Sequence, residues 1–178
     1  MSDNFHSSNI ASSLPGAINL VTGHGATPRN ISKTVANGTS IGDVDSIYDD
    51  CSAAQHKTIS MTGKNIGDLM NEKGITWGWF QGGFKPSSIS NNTKAACGTS
   101  HLNIVGKNVT DYVVHHEPFQ YYQSTANRHH IPPNSTAMIG KTDRANHQYD
   151  LSDFWAAAQA NNLPAVSYLN SDVDEIYI

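Results

Sequence analysis

Charge is what this sequence has least of. Asp, Glu, Lys and Arg together make up 15% of the 178 residues, against about 25% in an ordinary globular domain. The formal net charge is −4, so the basic footprint with which proteins hold nucleic acid is missing. Long apolar runs are missing too. None approaches the roughly 20 residues of a membrane-spanning helix, and the longest, such as Leu163 to Leu169, are strand-sized. Cysteine is scarce: Cys51 and Cys97 allow one disulfide or two free thiols. There is no HExxH, no CxxC pair and no GxxxxGK(S/T) loop, which sets aside the common zinc-protease, zinc-finger and nucleotide-hydrolase readings. The opening Met1–Phe5 has neither a basic nor an apolar region and is not a secretory signal. Repeats and low-complexity blocks are also absent.

Uncharged polar residues fill the gap: Asn, Ser, Thr, Gly, and nine His. A chain of this size buries roughly 68–70% of its unfolded surface, so composition alone describes one soluble domain. Pro15 suits a first helical turn, with Ser13 just ahead of it and Gly23 able to end the helix. Residues 29–58 are polar and turn-rich and read as a surface excursion. Residues 65–74 predict a short amphipathic helix with Ile66, Leu69 and Met70 on one face and Gly74 as its stop. Ile75–Phe80 predicts a strand closed by Gly82 and Gly83. Residues 85–110 read as loop, and His116–Thr125 as a short helical or irregular aromatic segment. Pro132 and Pro133 mark a break. A helix capped by Asp150 or Ser152 follows, then a buried strand over Leu163–Leu169. Helix–strand alternation at 65–80 and again at 151–169 predicts an α/β fold with some parallel pairing.

Ser13 is the first chemical candidate. A hydroxyl at a helix N-terminus sits beside free N–H groups and the positive dipole end, which favour phosphate and an ionised nucleophile; an ordinary N-cap is the other reading. The adjacent His115 and His116 suit irregular backbone lining a cleft, where an imidazole can ligate a metal or donate to a phosphoryl oxygen, or the pair can structure a loop. Trp77, Trp79 and Phe80 can line a substrate cleft or pack as a strand core. His147 can orient a loop or face substrate. His129 and His130 read as structural or exposed, and His24, His56 and His101 as isolated. Nine His also admit an independent metal-binding domain.

Several ordered motifs carry a resemblance. Ser13-Leu14-Pro15-Gly16-Ala17-Ile18-Asn19-Leu20, Gly63-Lys64-Asn65-Ile66-Gly67-Asp68-Leu69, Trp77-Gly78-Trp79-Phe80-Gln81-Gly82-Gly83-Phe84, His115-His116-Glu117-Pro118-Phe119-Gln120-Tyr121-Tyr122 and Ala145–Phe154 resemble the phosphoesterase family of bacterial phospholipases C and acid phosphatases. Met1–Phe5 joins them, and the resemblance spans about residues 1–169. It implies an alkaline-phosphatase-like α/β sandwich that hydrolyses phosphate esters, a phospholipid or a small phosphomonoester, through a hydroxyl nucleophile beside a divalent metal ion. The family nucleophile, a Ser or Thr two residues before Pro, maps onto Ser13, with Ser12 as the second register; Ser13 would also touch the metal. The family's His pair maps onto His115 and His116, which would contact the phosphoryl group or protonate the leaving alcohol. Trp77, Trp79 and His147 are the corresponding substrate-side candidates.

The family's Glu-Asn-x-Ser-Phe-Asp-like metal motif, its Asp-Gly-His segment and its Asp-Asp pair have no counterpart here, and Asp172, Asp174 and Glu175 do not reproduce them. Residues 1–178 thus read as the central part of a single phosphoesterase domain, incomplete at both ends, with most metal ligands outside the chain. The alternative is an inactive, phosphate-binding remnant. Family members are commonly extracellular, periplasmic or in the cell envelope. That setting favours a Cys51–Cys97 disulfide over two thiols.

Overall fold

The structure is a computed structural model that describes residues 13–22, 28–29, 35–36, 39–40, 43–53, 58–90 and 94–170. Met1–Phe5, Ser12, Gly23, His24, His56, Asp172, Asp174 and Glu175, all named above, lie outside the described residues. In chain order come α1 (Ser13–Thr22), the short strands β1 (Pro28–Arg29), β2 (Val35–Ala36), β3 (Thr39–Ser40) and β4 (Asp45–Ser46), then β5 (Thr58–Met61), α2 (Ile66–Glu72) and β6 (Trp77–Gln81). Four more strands follow: β7 (Ser88–Ser90), β8 (Lys94–Ala96), β9 (Ser100–Leu102) and β10 (Asn108–Thr110). Three 3₁₀ turns, η1 (Val114–His116), η2 (Pro118–Tyr121) and η3 (Thr136–Met138), precede β11 (Gln148–Asp150), α3 (Leu151–Gln159) and β12 (Val166–Asn170). The architecture is mixed α/β.

Strand β6 is the axis of the molecule. It lies between β11 and β12, parallel to both, with Tyr149 opposite Phe80 and Val166 opposite Trp77. Every residue of β6 is buried, as expected of a central parallel strand covered on both faces. On one side, Leu14, Ile18 and Val21 of α1 pack with Trp77, Trp79 and Phe119. Their spacing of four and three residues is one helical stripe. On the other side, Phe80 stacks on Tyr149 and meets Phe154 and Ala157 of α3.

Helix α2 starts on a capping box. The Asn65 side chain accepts the Asp68 N–H, and the Asp68 carboxylate accepts the Asn65 N–H. It stops where Gly74 takes φ +64°. Its buried face differs from the predicted one: Gly67 and Met70 are buried and Leu69 is 45% exposed. The reason is the Trp77 indole, which lies so close that a Cβ on Gly67 would come within 2.5 Å of it. At α3 the cap is Asp150, whose side chain accepts the Ser152 N–H.

Three further expectations are corrected. Residues 85–110 are not loop but two antiparallel hairpins, β7–β8 and β9–β10; their three-residue strands are too short to show a period. The segment 29–58 is not merely a surface excursion, since Val44, Asp45, Ser46 and Asp49 are buried. Its polarity is satisfied internally: the Ser46 hydroxyl donates to the Gln120 carbonyl and the Tyr121 hydroxyl to the Val44 carbonyl, each at 2.5 Å. Strand β12 is half-exposed rather than buried, with Leu169 55% exposed, because among the described residues it pairs with β6 alone.

Candidate active site

The C-terminal ends of β6 and β12 hold the histidine-bearing turn. Gln81 donates through Nε2 to the Val113 carbonyl at 2.9 Å, and Asn170 through Nδ2 to the His116 carbonyl at 3.4 Å. Turn η1 is therefore hung at the carboxyl edge of the parallel strands, where open α/β sheets place ligands. Helix α1, which Ser13 heads, packs against both η1 and η2.

Ser13 is exposed at the first position of α1. The next N–H, that of Leu14, donates to Oδ1 of Asp43 at 3.0 Å. A carboxylate thus lies at the helix N-terminus, where an anion is favoured by free N–H groups and the helix dipole. Asp43 also acts electrostatically on His116. Burial and the neighbouring His115 push His116 below the ordinary histidine range, and Asp43 works against them. The two rings meet edge to face with centroids 4.7 Å apart, and Nδ1 of His115 stands 4.0 Å from Oδ1 of Asp45. Ser13, His115 and His116, far apart in sequence, thus belong to elements that pack together, with Asp43 and Asp45 among them.

Trp77, Trp79 and His147 are elsewhere. Trp77 is fully buried, donates its indole N–H to Asn71 Oδ1 at 2.8 Å and stacks on His147 at 4.4 Å. Trp79 donates to Gln81 Oε1 at 3.1 Å and packs on Phe119 and Tyr168. His147, 1% exposed, spans the Trp77 carbonyl and the Thr142 hydroxyl. Burial lowers its pKa, which the bond to Trp77 partly opposes. These three side chains are buried and hydrogen-bonded within the protein.

Beneath the His pair lies a polar core that the motifs did not reveal. Asp49 Oδ2 accepts the Tyr112 hydroxyl at 2.6 Å and Gln120 Nε2 at 2.9 Å. Its Oδ1 accepts the Cys51 N–H at 2.7 Å and faces His130 Nε2 at 2.9 Å. His130 Nδ1 faces the Phe84 carbonyl at 2.7 Å. A carbonyl only accepts, so Nδ1 carries a proton, and the carboxylate beside Nε2 favours a second one. Burial opposes both charges, yet the pair wins: Asp49 is held below the usual carboxylate range and His130 above the usual histidine range. Glu117 is the exception. It is fully buried and neither carboxyl oxygen has a hydrogen-bond partner. Burial, then the Asp49 charge, push its pKa well up, in favour of the neutral acid. Patterning offered no signal for Glu117, because a carboxylate next to a histidine pair reads as exposed.

A family comparison fits this arrangement. The family model that matches is the Phosphoesterase family, over residues 1–175. The chain belongs to the Phosphoesterase family. No curated protein matches it. Members of the Phosphoesterase family hydrolyse phosphate esters and are typically metal-dependent.

Among the described residues, Asp49, Cys51 and His130 alone bring three donor atoms within 4.8 Å of one another. They do not fit a metal ion as they stand. Cys51 is joined to Cys97 in a disulfide and offers no thiolate. His130 uses one ring nitrogen on Asp49 and the other on Phe84. The cluster is a buried ion pair beside a disulfide.

Proposed function

We propose that this chain is a phosphate-ester hydrolase, with Ser13 as nucleophile and His115 and His116 as its proton carriers. What supports this reading is that α1, which Ser13 heads, packs on η1, which carries both histidines and hangs at the carboxyl edge of a parallel sheet. In this scheme the Ser13 Oγ–phosphorus bond forms as the ester P–O bond breaks. The Ser13 proton passes to His116, whose neutral, proton-accepting form is favoured by burial and by His115. His115, facing Asp45, gives a proton to the departing alcohol. Water then releases phosphate from the phosphoserine. The N–H groups of α1 receive the phosphoryl oxygens in place of Asp43. A divalent ion, typical of the family, would be held at Ser13 and would polarise the phosphoryl oxygens, and no step here is drawn through it. The β11–β6–β12 unit is read as part of an alkaline-phosphatase-like sandwich, in a protein working outside the cytoplasm, where the disulfide persists.

The competing reading, a phosphate-binding remnant, draws on Asp43: its carboxylate already holds the helix end. Hydrolysis of p-nitrophenyl phosphate and of a phosphorylcholine ester, with added divalent metals, separates the two. Activity that disappears in Ser13→Ala supports the enzyme. A folded chain without activity toward either ester, in both proteins, supports the remnant.

A further inference from the structure

Hairpin β9–β10 carries apolar side chains where a hairpin tip ordinarily carries polar ones. Leu102, Ile104 and Val105 are 69%, 88% and 70% exposed. The tip is preformed. Asn103 Oδ1 accepts the N–H groups of Val105 at 3.1 Å and Lys107 at 2.9 Å. The Asn103 N–H donates to the Lys107 carbonyl, and the Gly106 N–H to the Asn103 carbonyl, both at 2.8 Å. The amides of residues 103, 105, 106 and 107 are therefore satisfied within the tip. This removes much of the cost that keeps turn backbone out of an apolar medium.

The surroundings agree. From Cys97 to Thr110 there is no acidic residue, and Lys107 stands exposed beside the apolar tip. Asp111, just beyond, is taken up by His101 at 2.6 Å. The base is anchored by the Cys51–Cys97 disulfide and by the Asp111 N–H bond to the Thr99 carbonyl. Three side chains on a narrow projection are too few for a stable protein interface, which takes about 800 Å² from each partner. A lipid interface needs only a few apolar side chains and a cation to sit among anionic headgroups.

We propose that the β9–β10 tip is a membrane-contact element, placing Ile104 and Val105 below the headgroups of an anionic phospholipid surface with Lys107 at the phosphates. The contact goes beyond the hydrolase reading and does not depend on it, since binding is measured without turnover.

The test is co-sedimentation of the purified, disulfide-intact chain with vesicles of phosphatidylcholine and phosphatidylglycerol, 7:3, and with phosphatidylcholine alone. The chain is expected to sediment with the anionic vesicles. Ile104→Asp/Val105→Asp should weaken partitioning at least about tenfold, and Lys107→Ala about fivefold on anionic vesicles only. In Ile104→Trp the new indole should shift to the blue on vesicle addition, a readout independent of the double variant's folding. Failure of the parent chain to sediment, undiminished binding by the double variant, or no shift from Ile104→Trp overturns the proposal. So does a dimer in light scattering that the double variant abolishes, which would assign the tip to a second copy of the chain.

Discussion

Nε2 of His130 lies 2.9 Å from Oδ1 of Asp49, with the two side chains 1% and 0% exposed. Removing one member of such a pair strands the other charge, which typically costs about 3–5 kcal/mol. His130→Ala and Asp49→Asn should each lose that order of stability in urea unfolding at pH 7. The double variant should lose less than the sum. The pH dependence has two limbs. Asp49, held low, contributes stability above its unfolded pKa that is lost as pH falls through its folded value. His130, held high, contributes stability below its unfolded pKa that is lost as pH rises through its folded value. Both limbs should flatten in the double variant.

Glu117 should behave oppositely to a surface glutamate. Its folded pKa is raised by burial and by Asp49, so its contribution is complete below the ordinary glutamate value of about 4.3 and fades as pH rises through the folded value. Glu117→Gln removes that ionisation. Relative to the parent, the melting temperature of Glu117→Gln should rise between pH 4 and pH 8. A variant that loses as much stability as the parent over that range would contradict a raised Glu117 pKa.

Asp43 is expected to tune the site in two ways. Asp43→Asn removes an anion from the α1 N-terminus, so inorganic phosphate should bind more tightly, by about two- to fivefold. It also removes a charge that favours protonated His116, so the His116 titration, followed by NMR, should move to lower pH. An unchanged titration would place Asp43 outside the electrostatic reach of that ring, and an upward move would contradict the assignment.

Gly67 tests the contact between α2 and β6. Gly67→Ala puts a methyl group 2.5 Å from the Trp77 ring, and overpacking of this kind costs about 1–3 kcal/mol. The helix-propensity gain of Ala over Gly, about 1 kcal/mol, works the other way. Net destabilisation in chemical unfolding, with altered near-UV dichroism of Trp77, is the expected result.

The parts of the fold legible in the sequence were those with a local signal. Asn65 and Gly74 bracket α2, Asp150 caps α3, and the run through Trp77 and Phe80 is the buried strand. Parallel pairing followed from helix–strand alternation. The polar interior was not legible. Asp49 and His130 are 81 positions apart, and each alone resembles an exposed residue. Ser13 and the His pair were singled out by helix position and by the family motif, whereas Asp43 and Asp45 entered only because α1, β4 and η1 fold onto one another. Trp77 and His147 show the limit from the other side: aromatic and imidazole rings suit a cleft and a core equally, and their burial could not be read from the sequence.

Strand β6 has a consequence for how the protein is made. Its pairing with β12 sets Val166 opposite Trp77, and just ahead of the two strands the Ala165 N–H donates to the Thr76 hydroxyl, 89 positions away along the chain. At ribosomal speeds of about 5–20 residues per second, β6 waits on the order of 5–20 s for that partner. Through that interval the Trp-Gly-Trp-Phe run has a vacant edge and apolar faces, the properties that recruit chaperones or seed aggregates. The interval before β12 emerges is thus the window in which β6 is open to capture or aggregation.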